Sequence, residues 1–357
     1  MKTQTLISVC IPVFSTEPYL LQCLRSVYRQ DFNDFEIVLV SDASRGKDSK
    51  GRQAKKIVKI AQKECNRFRK ENNLSPVQIR FIEHRENRGL IEVRRTLCTQ
   101  SRGIYTTQLD SDDEMEEGAL SALYAAAEAT GFDIIHGTST AGTFDENNNF
   151  IPHEQNRYGV IYYGTIEGRN VFRRWIINND FTANTWGKLI KRELFLKAYE
   201  NIPYTECNMA DDFLLFFFLS QYAKSYIGIQ NKVYRYRVNT GMTSHRLIDS
   251  LHKWKMICSA ASVFTVISQW VENQQKNLEE NQNNNLNQND NSLYLLPDEI
   301  EKLRSKARYY ILNNIQQMRE RVVPELLPQA REMLCEYWGK DFVELVENAL
   351  DSYQKEE

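Results

Sequence analysis

Five apolar runs rich in β-branched residues, separated by stretches with helical spacing, occupy residues 6–137. The runs are LISVCIPVF (6–14), FEIVLVS (35–41), VQIRFIEH (77–84), GIYTTQLD (103–110) and FDIIHG (132–137). Between them, Glu17–Gln30 lines up Leu20, Leu21, Leu24, Val27 and Tyr28, and Lys50–Asn73 lines up Ile57, Val58, Ile60, Ala61 and Phe68. Gly89–Ser101 and the Ala-rich Glu116–Thr130 continue the helical spacing. Apolar residues three and four apart mark one face of a helix. Strands that alternate with helices pair in parallel through right-handed crossovers. Runs as continuously apolar as the first two belong to strands covered on both faces. The expected class is therefore α/β, a mostly parallel sheet flanked by helices.

Beyond residue 137 the pattern loosens. TFDENNNFI (143–151) reads as a hairpin with a polar turn. Arg169–Asn178, Lys191–Tyr199 and the strongly apolar Asp211–Tyr222 read as helices, and KSYIGIQNKVYRYRV (224–238) as two strand-like runs. From about 245 the texture is helical, broken by the Asn/Gln-rich stretch NQQKNLEENQNNNLNQNDNS (273–292). That stretch has too little apolar area to order itself, so a flexible linker is expected there. The expected division is an α/β domain over 1–245 and a helical C-terminal extension over 246–357.

Composition closes off several classes. The formal net charge is −2, which offers nucleic acid no general attraction. The basic helix over 50–73 has no interleaved aromatic residues to stack bases, so it reads as a solvated face. The 7 cysteines are scattered, odd in number and without a CxxC pair, which points to reduced thiols. The start, MKTQTLISVCIPVF, is unlike a signal peptide. The apolar segments 213–220 and 256–271 fall short of the length that spans a bilayer. A cytoplasmic protein is expected, with at most a peripheral contact at the inner face of the membrane.

In doubly wound sheets ligands bind beyond the carboxyl ends of the strands. Those ends carry Pro12-Val13-Phe14, Asp42, and Asp110-Ser111-Asp112-Asp113. The loop after the first strand, PVFSTEPY, has no glycine, so neither GxGxxG nor GxxxxGK[ST] is present to cradle phosphate on backbone amides. A GxSxG elbow and an HExxH motif are also missing. The remaining grip on phosphate is a divalent cation. Mg²⁺ and Mn²⁺ take oxygen ligands, often one or two carboxylates with phosphates completing the shell. Asp110 and Asp112 face one way and Asp113 reaches round the turn. The competing reading is an acidic turn that caps the helix expected at 116, which Asp113 alone would satisfy.

ISVCIPVF, FEIVLVSDAS, HRENRGLIEVRRTL and TTQLDSDD, in this order and spacing, resemble glycosyltransferase family 2 over roughly residues 5–245. The resemblance implies an inverting, nucleotide-sugar-dependent transferase with the A-type glycosyltransferase fold (GT-A), Rossmann-like in its sheet. It implies that the backbone at Pro12, Val13 and Phe14 lines a uracil pocket, that Asp42 accepts from the base, and that Arg94 and Asp110 lie near the nucleotide. Asp112 would meet both ribose and metal, Asp113 the metal, and His245 is a candidate third metal ligand. Arg235, Arg237 and Arg246 are candidates to meet phosphate. TWGKLIKRELF (185–195) resembles the segment bordering the acceptor site, with Trp186 and Lys188 as its candidates. NMADDFLLFFF (208–218) resembles the acidic pair that carries the catalytic base, with Asp212 first and Asp211 second. The implied cofactor is Mn²⁺ or Mg²⁺, the donor a UDP-sugar, and the acceptor a glycan or surface polysaccharide. The C-terminal helices offer a surface for a homodimer. Two other readings stay open at this point: a nucleotidyltransferase that makes sugar nucleotides, and a non-catalytic sugar-binding relative.

Overall fold

In the computed structural model the described residues are 5–146, 149–154, 158–238, 240, 247–283 and 294–353. They fall into two compact units, one built from 1–200 and 215–241, the other from 201–214 and 242–357.

The first unit is a sheet with helices on both faces. Its strands are β1 (Ile7–Val13), β2 (Phe35–Ser41), β3 (Ile79–Glu83), β4 (Tyr105–Gln108), β5 (Glu114–Met115), β6 (Ile134–Phe144), β7 (Phe150–Pro152), β8 (Gly164–Glu167), β9 (Lys188–Lys191) and β10 (Ser225–Arg237). The order is β3-β2-β1-β4-β9-β6-β10-β5, with β7 on β6 and β8 on β10. β1, β2, β3 and β4 pair in parallel as expected, and β6 pairs β10 in parallel. The rest departs from a wholly parallel sheet. β9 runs antiparallel between β4 and β6, and β5, β7 and β8 are antiparallel to their neighbours.

The helices are α1 (Glu17–Tyr28), α2 (Ala54–Glu71), α3 (Leu90–Gln100), α4 (Ala119–Thr130), α5 (Asn170–Ile176) and α6 (Arg192–Asn201), while α7 (Asp211–Tyr222) has residues 211–214 in the second unit and the rest in the first. Burial on two sides explains why β1 and β2 read as unbroken apolar runs. Val9, Ile11 and Val13, with Ile37 and Leu39, face the core shared with Leu20, Leu24 and Val27 of α1 and Ile57 and Ala61 of α2. Cys10, Val38 and Val40 point the other way, onto Val93 and Leu97 of α3. Successive strand residues serve opposite faces, so both sets must be apolar.

Several expected boundaries shift. The fifth strand continues from 134 to 144, because TSTAGTF keeps pairing with β10. The two runs over 224–238 are one strand, Ser225–Arg237, with register shifts between Gly228 and Tyr234. In the second unit, α8 (Leu251–Cys258), α9 (Ala260–Asn283), α10 (Pro297–Arg321), α11 (Leu327–Trp338) and α12 (Lys340–Tyr353) form a helical bundle. Its core joins Trp254, Ile257, Ile311, Ile315, Met318, Leu334 and Val343, and Trp254 Nε1 donates to the Ala330 carbonyl at 2.8 Å. α9 carries helix through residues 273–283, so the first half of the expected linker is helical, while 284–292 lie outside the described residues. No described helix is long and apolar enough to cross a membrane.

One buried cation holds the first unit's outer loops. Arg69, 1% exposed at the end of α2, donates to the carbonyls of Tyr28, Gln30, Phe32 and Ser75 and stacks over the Phe35 ring at 5.2 Å. Carbonyls at the end of α1 would otherwise lack partners. Arg69→Met keeps the stem and removes the donors. It should destabilise the chain by about 3 kcal/mol, the scale of several lost charge-assisted hydrogen bonds. Urea unfolding followed by tryptophan fluorescence measures this; a loss below about 1 kcal/mol would mean the loops are held by other contacts.

Candidate functional site

The site is built at the carboxyl edge of β1, β2 and β4. Pro12 and Val13 end β1 opposite Val40 and Ser41, while β4 pairs β1 only as far as Cys10. Pro12 thus falls where the ladder to β4 has already opened and a missing N–H is tolerated. Phe14 follows at once, and the chain then turns through Ser15 at φ 57°. The loop after β2 turns likewise at Ala43, φ 54°. Ser44 stitches these two loops together. Its Oγ accepts from the Ser15 amide at 2.9 Å and donates to Glu17 Oε1 at 2.6 Å. Glu17 is fully buried at the start of α1, and a Cβ at Gly46 would meet its carboxylate and force it to shift. Thr16 and Ser111 share a hydrogen bond of 2.6 Å, which joins the β1 loop to the acidic turn.

Asp42 is 2% exposed, and three donors already converge on its carboxylate. His84 Nδ1 lies 2.8 Å from Oδ1, the Arg88 amide is 3.0 Å from both oxygens, and the Gly89 amide is 2.9 Å from Oδ2. Gly89 adopts φ 84°, which aims these amides inward at little cost for a residue without Cβ. His84 Nε2 reaches Thr96 Oγ1 at 3.0 Å. In this geometry Asp42 braces the 84–89 loop. Acceptance from a base, as the resemblance implies, would share these oxygens with the three donors.

The acidic turn 110–113 follows β4, and α4 starts only at Ala119 with Gly118 at its N-cap. Asp113 therefore does not cap that helix. Asp110 Oδ1 accepts from Arg94 Nη2 at 3.1 Å, and Arg94 is 1% exposed. Asp112 Oδ2 accepts from Thr240 Oγ1 at 2.8 Å. Asp113 is 2% exposed, with Oδ2 accepting from the Tyr234 hydroxyl at 2.7 Å and Oδ1 from the Arg237 amide at 2.6 Å. Burial raises the Asp112 carboxyl above its ordinary range. Burial first, then the charges of Asp112 and Asp110, push the Asp113 carboxyl up much further.

Arg237 supplies part of the balancing charge. Its Nε donates to the Asp112 carbonyl at 2.8 Å, and its guanidinium lies 3.6 Å from the centre of the Phe144 ring and 4.8 Å from that of Tyr19. Arg235 instead pairs with Glu116 at 2.6 Å. Among the described residues no group of three or more His, Cys, Asp or Glu side chains is arranged to hold a metal. Two oxygen-donor carboxylates nonetheless suit Mg²⁺ or Mn²⁺, whose remaining ligands are commonly phosphates and water. Carboxyls held up by burial, and at Asp113 also by neighbouring acids, are the kind a cation would ionise. His245 and Arg246 lie outside the described residues.

The two acceptor candidates sit inside the fold. Lys188 is fully buried, its ammonium donating to the carbonyls of Thr182 and Asn184 and lying 5.5 Å from the centre of the Phe216 ring. Trp186 is 5% exposed and stacks on Tyr234 at 4.6 Å and on Tyr236 at 5.6 Å. Asp211 and Asp212 occupy the first turn of α7, directly after Ala210 in the left-handed region at φ 63°. Asp211 is buried at 7% exposure and Asp212 is partly exposed. Glu17, Ser44, His84, Tyr234 and Thr240 were not singled out by motif. Their roles arise from contacts across 27 to 128 residues of chain.

The chain is 26% identical over 256 residues to Glycosyltransferase GlyA of Streptococcus pneumoniae serotype 4, covering 69% of this chain and 33% of that protein. It is 25% identical over 249 residues to Glycosyltransferase GlyG of the same organism, covering 66% of this chain and 72% of that one. Thus it spans about a third of the length of one curated relative and under three quarters of the other. Among solved structures, the crystal structure of S. aureus TarS 1-349 in complex with UDP-GlcNAc aligns with TM-score 0.49 and 18% identity, over 99% of this chain and 92% of that one. Residues 8–203 match the sequence profile described as Glycosyl transferase family 2. The match takes in β1, β2, β4 and the acidic turn, more than half of the sequence, and the chain belongs to glycosyl transferase family 2.

Proposed function

We propose that this family member is an inverting glycosyltransferase that moves a sugar from a nucleoside diphosphate sugar, UDP-linked by the family resemblance, to a hydroxyl of a glycan acceptor. The observation that carries the reading is the pair Asp112 and Asp113. Asp113 is buried and Asp112 half-buried at the sheet's carboxyl edge, and both carboxyls are raised, a position that favours a bound cation. A bound Mn²⁺ or Mg²⁺ would supply Lewis-acid neutralisation of the leaving diphosphate.

The chain's own residues do the rest. Asp112 and Asp113 would hold the cation, with Thr240, Tyr234 and the Arg237 amide fixing their oxygens. The backbone at Pro12, Val13 and Phe14 lines the base pocket, whose two loops Ser44 and Glu17 keep in register. Arg94 orients Asp110 near the nucleotide. Asp212, with Asp211 second, takes the proton from the acceptor hydroxyl as it attacks the anomeric carbon. Inversion needs one base on the face opposite the leaving group. Manufacture of sugar nucleotides would call for a phosphate-gripping loop after β1, and PVFSTEPY has no glycine.

Purified chain with Mn²⁺ and a panel of sugar nucleotides should release nucleoside diphosphate from at least one of them. Pyrophosphate release would instead indicate a nucleotidyltransferase. Neither release nor binding of any sugar nucleotide would leave a non-catalytic relative. Asp112→Ala should weaken Mn²⁺-dependent UDP binding about tenfold or more in calorimetry, and chelation of the metal should do the same to the parent chain. Asp212→Asn should keep the donor Kd within about twofold while transfer falls about 10²-fold or more, the usual contribution of a general base. Transfer at the parental rate would show that the proton goes elsewhere.

A further inference from the structure

The outer face of α2 is exposed, as expected, but its charge is unbalanced. Lys55, Lys56, Lys59, Lys63, Arg67 and Lys70 all stand in solvent. At about 100° per residue they fall within roughly 120° of the helix surface, over a length of about 22 Å. Asn66 is the only other residue of the helix within that arc. Among the described residues none of the six forms an ion pair. Glu64, which flanks the face, is held by Arg25 at 2.8 Å and by the Tyr28 hydroxyl at 2.9 Å. Lys55, Lys59, Lys63 and Arg67 follow one another at i,i+4, a series of like charges that weakens a helix. Other surface helices pair their cations at this spacing, Lys253 with Asp249 and Lys340 with Glu344. α2 tolerates the repulsion because Ile57, Val58, Ala61 and Cys65 anchor its opposite side in the core.

We propose that this face docks the chain on an anionic lipid bilayer, which α2 meets side-on and without inserting. The proposal goes beyond the transferase reading and does not depend on it. Cations held at a membrane surface are drawn to the negative potential of its headgroups, each adding about fivefold to the partition coefficient. The six share one side of one helix, so a plane can meet all of them at once. No aromatic ring stands within the arc to stack a base. No apolar side chain stands there to form the core of a protein interface. Five of the six are lysines, point charges rather than the planar forks that recognise one particular phosphate. The formal net charge of the chain is −2, so the remainder is acidic once these cations are set aside. Repulsion of that remainder orients the α2 face toward an anionic surface. Because the apolar side of α2 is buried in the core, the attachment is electrostatic and salt reverses it.

The test is cosedimentation of the full chain with vesicles of phosphatidylcholine, alone or with about one third phosphatidylglycerol, at about 0.1 M salt. The parent chain should bind the anionic vesicles with a partition coefficient on the order of 10⁴ M⁻¹ and leave the neutral ones in suspension. Salt at about 0.5 M should release it. The triple variant Lys55→Gln, Lys59→Gln, Lys63→Gln should bind about 10²-fold more weakly, at about fivefold per cation, with its thermal midpoint unchanged. The triple variant with Arg at the same three positions should bind as the parent does. Lys224→Gln, Lys232→Gln, Lys340→Gln removes as many exposed cations elsewhere and should bind within about twofold of the parent. Equal binding to neutral vesicles, parental binding by the first variant, or an equal loss in the last overturns the proposal, as does a parent chain that ignores anionic vesicles. Tighter binding to duplex DNA at the same phosphate concentration, lost in the first variant, assigns the face to nucleic acid and overturns it too.

Discussion

The charge on Asp113 organises the first unit. A carboxylate at 2% exposure is costly unless its oxygens find donors, and two come from the far end of the sheet. Tyr234 reaches one oxygen and the Arg237 amide the other, so β10 must lie where it does for the acidic turn to keep its shape. β5, two residues long, pairs with β10 at Tyr234 and Arg235 and fixes the same relation from the other side. Thr240 then takes up Asp112, and Arg237 spreads its cation over Phe144 and Tyr19. Even with these partners both carboxyls remain raised, by burial first and at Asp113 also by the charges of Asp112 and Asp110, and a cation would offset both.

Much of the architecture follows from local pattern. β1, β2 and β3 and the helices between them were legible because burial on one or two faces writes itself into the spacing of Val, Ile and Leu. The acidic turn was legible because three like charges at a strand end demand compensation. β5, β8 and β9 were not, since strands of two to four residues carry no measurable period. The extension of β6 through TSTAGTF was hidden by its Thr, Ser and Gly content, although threonine suits a pleated strand. The Asn/Gln stretch misled at its near end, where Asn and Gln simply prolong α9.

Site residues divided along the same line. A carboxylate's position at a strand end can be read locally, but its occupancy cannot. Asp42 stands where expected, yet its oxygens belong to His84, Arg88 and Gly89, which a single loop fold brings back from 42 to 47 residues away. Trp186 and Lys188 lie in a segment that resembles an acceptor border, but packing turns both inward, one onto Tyr234 and Tyr236, the other onto two carbonyls. Whether a side chain faces a ligand or the core depends on which neighbour arrives, and that neighbour is usually distant in sequence.

The hydrogen bonds from Tyr234, Arg237 and Thr240 to the acidic turn have a consequence for synthesis. The turn leaves the ribosome more than 120 residues before the groups that shape it. Until then its three carboxylates are an open acidic loop rather than a site. The segment matched by the family profile ends at residue 203, ahead of β10. A chain cut there would hold every acid of the turn and Arg94, but not Tyr234, Arg237 or Thr240. Competence in this protein is therefore a late event on the chain, timed by the emergence of its last strand.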